Sequence, residues 1–157
     1  MRKLLLTVVV LFLLAAQCLA ANWEMIGSTN DYGLYYDKDS VVFDAQESIV
    51  DRGKYIVNKD KCYVWLKAIY DKKYVNRRFK DNTSYELTYL GLDLVNNRIY
   101  MGETIFYNQE GEVVTSSKGI KKWEPIAPES IGEAIKKEVV KYVRNHTEEI
   151  ERRTRGN

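Results

Sequence analysis

Apolar and polar residues alternate along much of the chain between Trp23 and Ser116, a pattern typical of short β-strands separated by turns. The clearest strand is Tyr63–Tyr70, in which both alternating sets of side chains are largely apolar. A strand that is apolar on both sides usually lies in the middle of a sheet, so we predict a central strand here. One set comprises Val64, Leu66 and Ala68, and the other comprises Tyr63, Trp65 and Ile69.

Three further strands are predicted after residue 84. Tyr85–Val95 and Arg98–Tyr107 flank Asn96-Asn97, and paired Asn residues tolerate the positive φ angles of a tight hairpin turn. A second turn at 108–111 leads into Glu112–Ser116, so the three strands should pair antiparallel in succession. Two earlier β segments are predicted at Trp23–Gly27 and Tyr35–Phe43, with interrupting turn residues at 28–31 and 37–39.

Two polar stretches interrupt this pattern. Residues 44–61 contain only short apolar pieces, so we interpret them as a loop with at most one irregular strand. Residues 71–84 are rich in Lys and Arg and are predicted to be a solvated loop.

The period changes near the C-terminus, where apolar residues recur at helical spacing. Ser130 and Glu133 have capping-box spacing, so one amphipathic helix should begin near Ser130. Its apolar residues need a surface to cover, and the preceding sheet supplies one. The apolar positions are Ile131, Ala134, Ile135, Val139, Tyr142 and Val143.

These elements predict an α+β fold with a small antiparallel sheet of about five or six strands and one C-terminal helix packed on one face. The domain should span residues 21–145, and residues 146–157 should form a charged C-terminal tail that frays. His146 falls near the end of the helix, where an imidazolium interacts favourably with the helix C-terminus.

The first 20 residues have the features of a secretory signal peptide. Arg2 and Lys3 precede an apolar run over 4–16, and small residues at 18 and 20 suit cleavage before Ala21. The run is shorter than the roughly 20 residues of a transmembrane helix. We therefore expect an exported protein without a transmembrane segment after cleavage, in the periplasm, at the cell surface or secreted.

Charge and composition exclude several classes of function. Removing Arg2 and Lys3 leaves 22 basic against 22 acidic residues, so the cleaved chain lacks the excess of positive charge that nucleic-acid binding requires. One His and two Cys are too few for Cys/His zinc sites or for Ser/His and Cys/His catalytic groups of the usual kind. We predict no cofactor, no metal and no catalytic residue, and we expect Cys62 to be buried in a strand.

Two sets of residues are candidates for binding. A basic segment could contact an acidic partner, although such a run is more often only a solvated loop. Strand tyrosines could form an exposed aromatic surface, although such rings more often fill the core and rim of a small sheet. The basic set is Lys72, Lys73, Arg77, Arg78 and Lys80, and the tyrosines are Tyr85, Tyr89 and Tyr100, with Tyr35 and Tyr107 as further strand tyrosines.

Four short motifs occur in a characteristic order: Ala21–Gly27, Tyr35–Ser40, Val64–Lys67 and Trp123–Ser130, the last leading into the helix. In this order and placement the chain resembles the bacterial surface-adhesin protein E-like domain family. The resemblance implies a small antiparallel sheet with a C-terminal helix on an exported envelope protein. The best-known members are adhesins that bind host matrix or plasma proteins and haem.

The chain also departs from that family. Members often pair a Cys near the position of Leu94 with a Cys in the terminal helix, and this chain has neither. We also expect no lipid anchor, because Gln17 precedes Cys18 where a lipidation site has a small residue. We therefore expect the protein to be periplasmic or released, or to be displayed at the cell surface.

We predict an exported cell-envelope binding or adhesion module without catalytic activity, whose partner is a host or envelope protein or another macromolecule. The alternative is a periplasmic carrier of a small ligand such as haem, or an enzyme with an unrecognised carboxylate site. A shallow aromatic patch beside a basic loop would favour binding, and a deep cleft with converging polar groups would favour the alternative.

Overall fold

The computed structural model describes residues 21–78, 82–120 and 122–156, with side chains from 76 to 78 excepted. The predicted signal segment at 1–20 and the candidate residue Lys80 lie outside the described residues.

Within these ranges the chain forms eight strands and three α-helices. The strands are β1 (Trp23–Ser28), β2 (Tyr32–Asp37), β3 (Val42–Glu47), β4 (Tyr55–Tyr70), β5 (Tyr85–Asp93), β6 (Arg98–Tyr107), β7 (Val113–Ser117) and β8 (Trp123–Pro125). The helices are α1 (Lys72–Arg78), α2 (Ile131–Asn145) and α3 (Thr147–Gly156).

All eight strands belong to one antiparallel sheet with the order β1-β2-β4-β5-β6-β7. Strand β3 pairs with the first part of β4, while β2 pairs with its last part. Strand β8 pairs with the beginning of β6, while β7 pairs with its end. The predicted α+β class and the central position of residues 63–70 are therefore confirmed.

The strand count is larger than the predicted five or six, and the prediction of a loop at 44–61 was wrong. Strand β4 is 16 residues long and begins at Tyr55. Its first residues pair with β3 from Asp44 to Glu47 and form a hairpin arm. Side chains on this arm are mostly exposed, so the arm lacks the apolar alternation by which a strand is identified.

The predicted solvated loop at 71–84 begins with helix α1. Asp71 precedes the helix, and its Oδ1 accepts a hydrogen bond of 2.8 Å from the backbone N–H of Lys73. A carboxylate at this position satisfies one of the free N–H groups of the first turn. The prediction of a loop relied on the many basic residues and did not take account of Asp71 as a helix N-cap.

Helix α2 confirms the predicted amphipathic helix and its start. Ser130 is the N-cap, and its hydroxyl accepts a hydrogen bond from the backbone N–H of Glu133. Ile135, Val139 and Val143 are the buried residues of this helix. Three of the six predicted apolar positions therefore pack against the sheet and Tyr142 is partly buried beside them, whereas Ile131 and Ala134 are exposed.

The prediction of a single C-terminal helix was wrong, because the segment expected to fray forms α3. His146 ends α2, and its ring Nδ1 lies 2.9 Å from the carbonyl oxygen of Tyr142. Ile150 and Thr154 are buried, and the Thr154 hydroxyl accepts a 2.9 Å hydrogen bond from the backbone N–H of Phe43. Arg153 donates to the carbonyl oxygens of Lys38 and Val41. Helix α3 thus covers β3 and completes the core.

The two faces of the sheet differ in what covers them. Even-numbered residues of β4 from Cys62 to Ala68 are buried, on the side where α2 and α3 pack. The other side of β4 carries Tyr63, Trp65 and Lys67, and these side chains are only partly buried. We call the first side the helix face. The core lies between this face and the two helices.

The hairpin between β5 and β6 turns through residues 94–97 rather than through two residues alone. Asn97 has a φ of 53°, as expected for an Asn in this turn. Asp93 closes the start of the turn, because its Oδ1 accepts a 2.8 Å hydrogen bond from the backbone N–H of Asn96. The turn also holds the segment before α2, since Asn97 and Ile126 exchange hydrogen bonds.

Candidate functional site: the aromatic face

The side of the sheet opposite the helices is rich in aromatic side chains. Strand register places them there, since Trp65 pairs with Tyr89, Tyr85 with Tyr107, and Tyr100 with Trp123. We call this surface the aromatic face. Its rings are all partly buried and belong to Trp23, Tyr63, Trp65, Tyr85, Tyr89, Tyr100, Tyr107 and Trp123.

The centre of the face is a cluster of rings in mutual contact. The Tyr89 ring stacks on Tyr63 with 5.7 Å between centroids and lies 5.3 Å from the centroid of Trp65. Tyr100 and Trp123 form a second pair at 5.6 Å. These distances are within the range of favourable aromatic pairs, so the rings hold one another in place.

Gly91 allows the two groups of rings to approach each other. A Cβ atom at this position would lie 2.8 Å from the Tyr63 ring and 3.1 Å from the Trp123 ring. Any side chain larger than hydrogen would therefore push the rings away from the backbone. The close approach joins the pairs into one continuous surface across β4, β5 and β8.

Two lysines lie among these rings. The Lys67 Nζ is 4.5 Å from the centroid of Tyr85 and 5.6 Å from that of Trp23. The Lys61 Nζ is 5.5 Å from the centroid of Trp123. All three distances allow cation–π attraction. Neither ammonium group forms an ion pair with a carboxylate among the residues that the structure describes.

Burial on the aromatic face raises the pKa of three of its tyrosines. Burial raises the pKa of Tyr63 above its ordinary value, and Asp44 adds to the effect. Burial likewise raises the pKa of Tyr89 and Tyr85, with neighbouring tyrosines contributing. At neutral pH these groups are therefore neutral hydroxyls that can donate and accept hydrogen bonds.

The candidate residues named from the sequence fall on different parts of the molecule. Tyr85, Tyr89 and Tyr100 lie on the aromatic face. Lys72 and Lys73 are exposed on α1, which also includes the backbone of Arg77 and Arg78. Helix α1 is attached to the helix face, because Tyr74 stacks on Tyr70, which the alternation of β4 places with Ala68.

Sequence reasoning therefore did not identify several residues of the aromatic face as binding candidates. Tyr63 and Trp65 were assigned to a strand with two apolar sides, and Trp123 to a motif before the helix. The cations seen over the rings are Lys61 and Lys67, not the residues of the basic segment. A usable signal was present, because Lys67 alternates with Trp65 and Tyr63 and marks their side as open to solvent.

A second feature is an apolar cleft on the helix face, of about 290 Å³, next to the N-terminal end of α2. Among the described residues that line it, the one carboxylate is that of Glu86, which accepts a hydrogen bond of 2.5 Å from the Tyr70 hydroxyl. Apolar side chains dominate the walls, including Leu34, Leu66, Leu90, Met101, Phe106 and Ile131. The cleft could hold a small apolar molecule.

Cys62 lies in the core, as predicted, and is fully buried in β4. Burial raises the pKa of its thiol to about 12. The thiolate is the reactive form of cysteine, so this group is chemically inert at neutral pH.

Comparisons of the chain with protein-family models, with curated proteins and with solved structures give no match. Among the described residues, no helix has the length and apolar character needed to cross a membrane.

Proposed function

We propose that the chain is an exported bacterial cell-envelope binding module, related to surface-adhesin protein E-like domains, that holds a macromolecular partner on its aromatic face. One observation carries the proposal. All three tryptophans of the chain lie on this face, and none belongs to the buried core of the described residues.

The distribution of aromatic residues is the reverse of what stability alone favours. A large ring contributes most to folding when it is fully buried, yet the core here is filled by aliphatic side chains, Tyr36 and Phe43. Trp and Tyr are also the residues that contribute most to binding interfaces, because they offer large contact area with few rotatable bonds. Partly buried rings on an uncovered sheet face suit that role.

The chemistry of the face supports binding rather than catalysis. Its polar groups are neutral tyrosine hydroxyls, the two lysine ammonium groups, and the Asp44 carboxylate near Tyr63 and Tyr89. The hydroxyls can donate and accept hydrogen bonds, and the ammonium groups can attract anions. The chain contains a single His, and that residue caps α2 by its backbone and lies against the Tyr142 ring. We therefore propose no catalytic residue.

A small-ligand carrier is the second candidate, and the apolar cleft on the helix face favours it. Such a carrier would bury its ligand between Leu34, Met101 and the start of α2. The two candidates use opposite faces of the sheet, so substitutions can separate them.

The test is retention of the purified protein on isolated cell envelopes and on immobilised host matrix proteins. Replacing both Trp65 and Tyr89 with Ala should weaken retention about a hundredfold or more, because central aromatic residues of an interface can contribute about 2 kcal/mol each and every 1.4 kcal/mol is about tenfold. The melting temperature, measured beside it, reports any loss of folding.

Two matched substitutions serve as controls. Tyr55→Ala removes a ring that is 39% exposed on the β3–β4 arm, away from the aromatic face, and should leave retention unchanged. Met101→Lys places a charge in the apolar cleft and should also leave it unchanged. Loss of retention with Met101→Lys but not with the aromatic double variant would move the binding surface to the helix face and contradict the proposal.

A further inference from the structure

We infer that the partner of the aromatic face is an extended acidic glycan, a polymer whose sugar rings carry carboxylates. This inference rests on the proposed function and names the chemistry of its partner.

The central rings suit the apolar side of a sugar. A pyranose ring presents C–H groups on its faces and hydroxyls around its edge, so it stacks on aromatic rings while its hydroxyls find hydrogen-bond partners. Tyr63, Trp65 and Tyr89 provide contiguous rings with centroids 5.3–5.7 Å apart. The tyrosines among them also bring hydroxyl groups, which remain neutral donors.

The two lysines supply the charge preference. Lys61 and Lys67 lie on the same strand and on the same side, six residues apart, which corresponds to about 20 Å along β4. The rings of Tyr63 and Trp65 lie between them. Each ammonium group rests against a ring and forms no ion pair with a described carboxylate. Asp93 is close enough to Lys61 for the lysine to help lower the pKa of that carboxyl, but both Asp93 carboxylate oxygens accept hydrogen bonds from Asn96.

The spacing favours an extended polymer over other occupants. Several consecutive sugar rings would cross the cluster before meeting the second lysine, so carboxylates at both ends of that stretch can be paired at once. In a dimer formed through this face, Lys61 and Lys67 of both copies would lie in one interface, where their like charges repel. A nucleic acid fits this face less well than an acidic glycan does. The face carries few cations, and the net charge of the chain is only +2, whereas nucleic-acid binding depends on many contacts between cations and phosphates.

The experiment is calorimetric titration with galacturonic acid oligomers of increasing length. Affinity should rise with length until the oligomer reaches both lysines and then level off, and it should fall as salt is added. Neutral cello-oligosaccharides should bind at least tenfold more weakly. Polyglutamate should not bind measurably, because it has carboxylates without sugar rings.

Substitutions assign the binding to this face. Lys61→Gln and Lys67→Gln should each weaken galacturonate binding about threefold, the effect of one exposed ion pair. Lys67→Arg should retain it, and Trp65→Ala should abolish it. Lys141→Gln on α2 removes an exposed lysine from the helix side and should change nothing.

The outcomes separate this inference from the proposed function. If no galacturonate oligomer binds while envelope or matrix retention still depends on Trp65 and Tyr89, the glycan is wrong and the binding face stands. If neither depends on these rings, both are wrong. Equal binding of polyglutamate, insensitive to Trp65→Ala, would show capture by charge alone and overturn the inference.

Discussion

Replacement of Ile135 by Asp is expected to destabilise the protein by about 3–5 kcal/mol, the effect of an unpaired charge in apolar surroundings. Ile135 is 4% exposed and belongs to the core cluster beneath α2. A small domain has only about 5–15 kcal/mol of stability in total, so this loss should lower the melting temperature sharply or prevent folding. Thermal unfolding followed by circular dichroism measures it.

Ile131→Asp is the matched control, on the same helix and one turn earlier. Ile131 is 53% exposed, and an acidic residue in the first turn of a helix interacts favourably with its N-terminal end. This variant should keep the melting temperature of the unaltered protein within a few degrees. Equal effects of the two substitutions would contradict the docking of α2 described here.

Ile150→Ala is expected to reduce the free energy of unfolding by about 2–5 kcal/mol, the usual range for removing a fully buried Ile. Ile150 is 0% exposed and lies on α3, in the segment that the sequence alone indicates to be a charged tail. The residue contributes to the core under β3, so truncation leaves a cavity there. Urea unfolding of the two proteins gives the difference directly.

Arg152→Ala on the same helix provides the comparison, because Arg152 is exposed. It should change the free energy of unfolding by no more than about 0.5 kcal/mol, as surface substitutions generally do. If Ile150→Ala also fell within that range, the C-terminal segment would be the frayed tail expected from its composition and not part of the core.

The sequence was most informative where many side chains of one element are buried at a regular spacing. The spacing of Ile135, Val139 and Val143 located α2, and the alternation around Val64 located the central strand. In both cases burial of a regular set of side chains imposes a period on the sequence, and that period can be recognised without knowledge of the neighbouring elements.

Elements with few buried side chains were not predicted, because too few buried positions are present to impose a period on the sequence. Helix α3 has only Ile150 and Thr154 buried, and Thr154 is polar, so no apolar stripe identifies it. Its attachment depends on tertiary hydrogen bonds from Arg153 and to Thr154, which link it to residues more than 100 positions away. The arm formed by β3 and the start of β4 is mostly exposed and equally lacks a periodic signal.

The aromatic face shows a second limit of prediction from the sequence alone. Alternation correctly separated Tyr63 and Trp65 from Val64 and Leu66, but the pattern could not determine which side the helices would cover. Both sides of the strand were apolar enough to be buried. The register of strand pairing determines which distant residues lie beside Tyr63 and Trp65. Tyr89 and Trp123 come from strands 24 or more positions further along the chain, so the sequence pattern of β4 does not indicate them.

Hydroxyl-radical footprinting of the protein on isolated envelopes or on its matrix partner tests the central claim most directly. Trp23, Trp65 and Trp123 account for every tryptophan of the chain, and all three lie on the aromatic face. Binding through this face should lower the oxidation of Trp65 and Trp123 several-fold, as measured by peptide mass spectrometry. Oxidation of Tyr55 on the β3–β4 arm should stay the same. Unchanged oxidation of both tryptophans in the bound protein would contradict the assignment of the aromatic face as the binding surface.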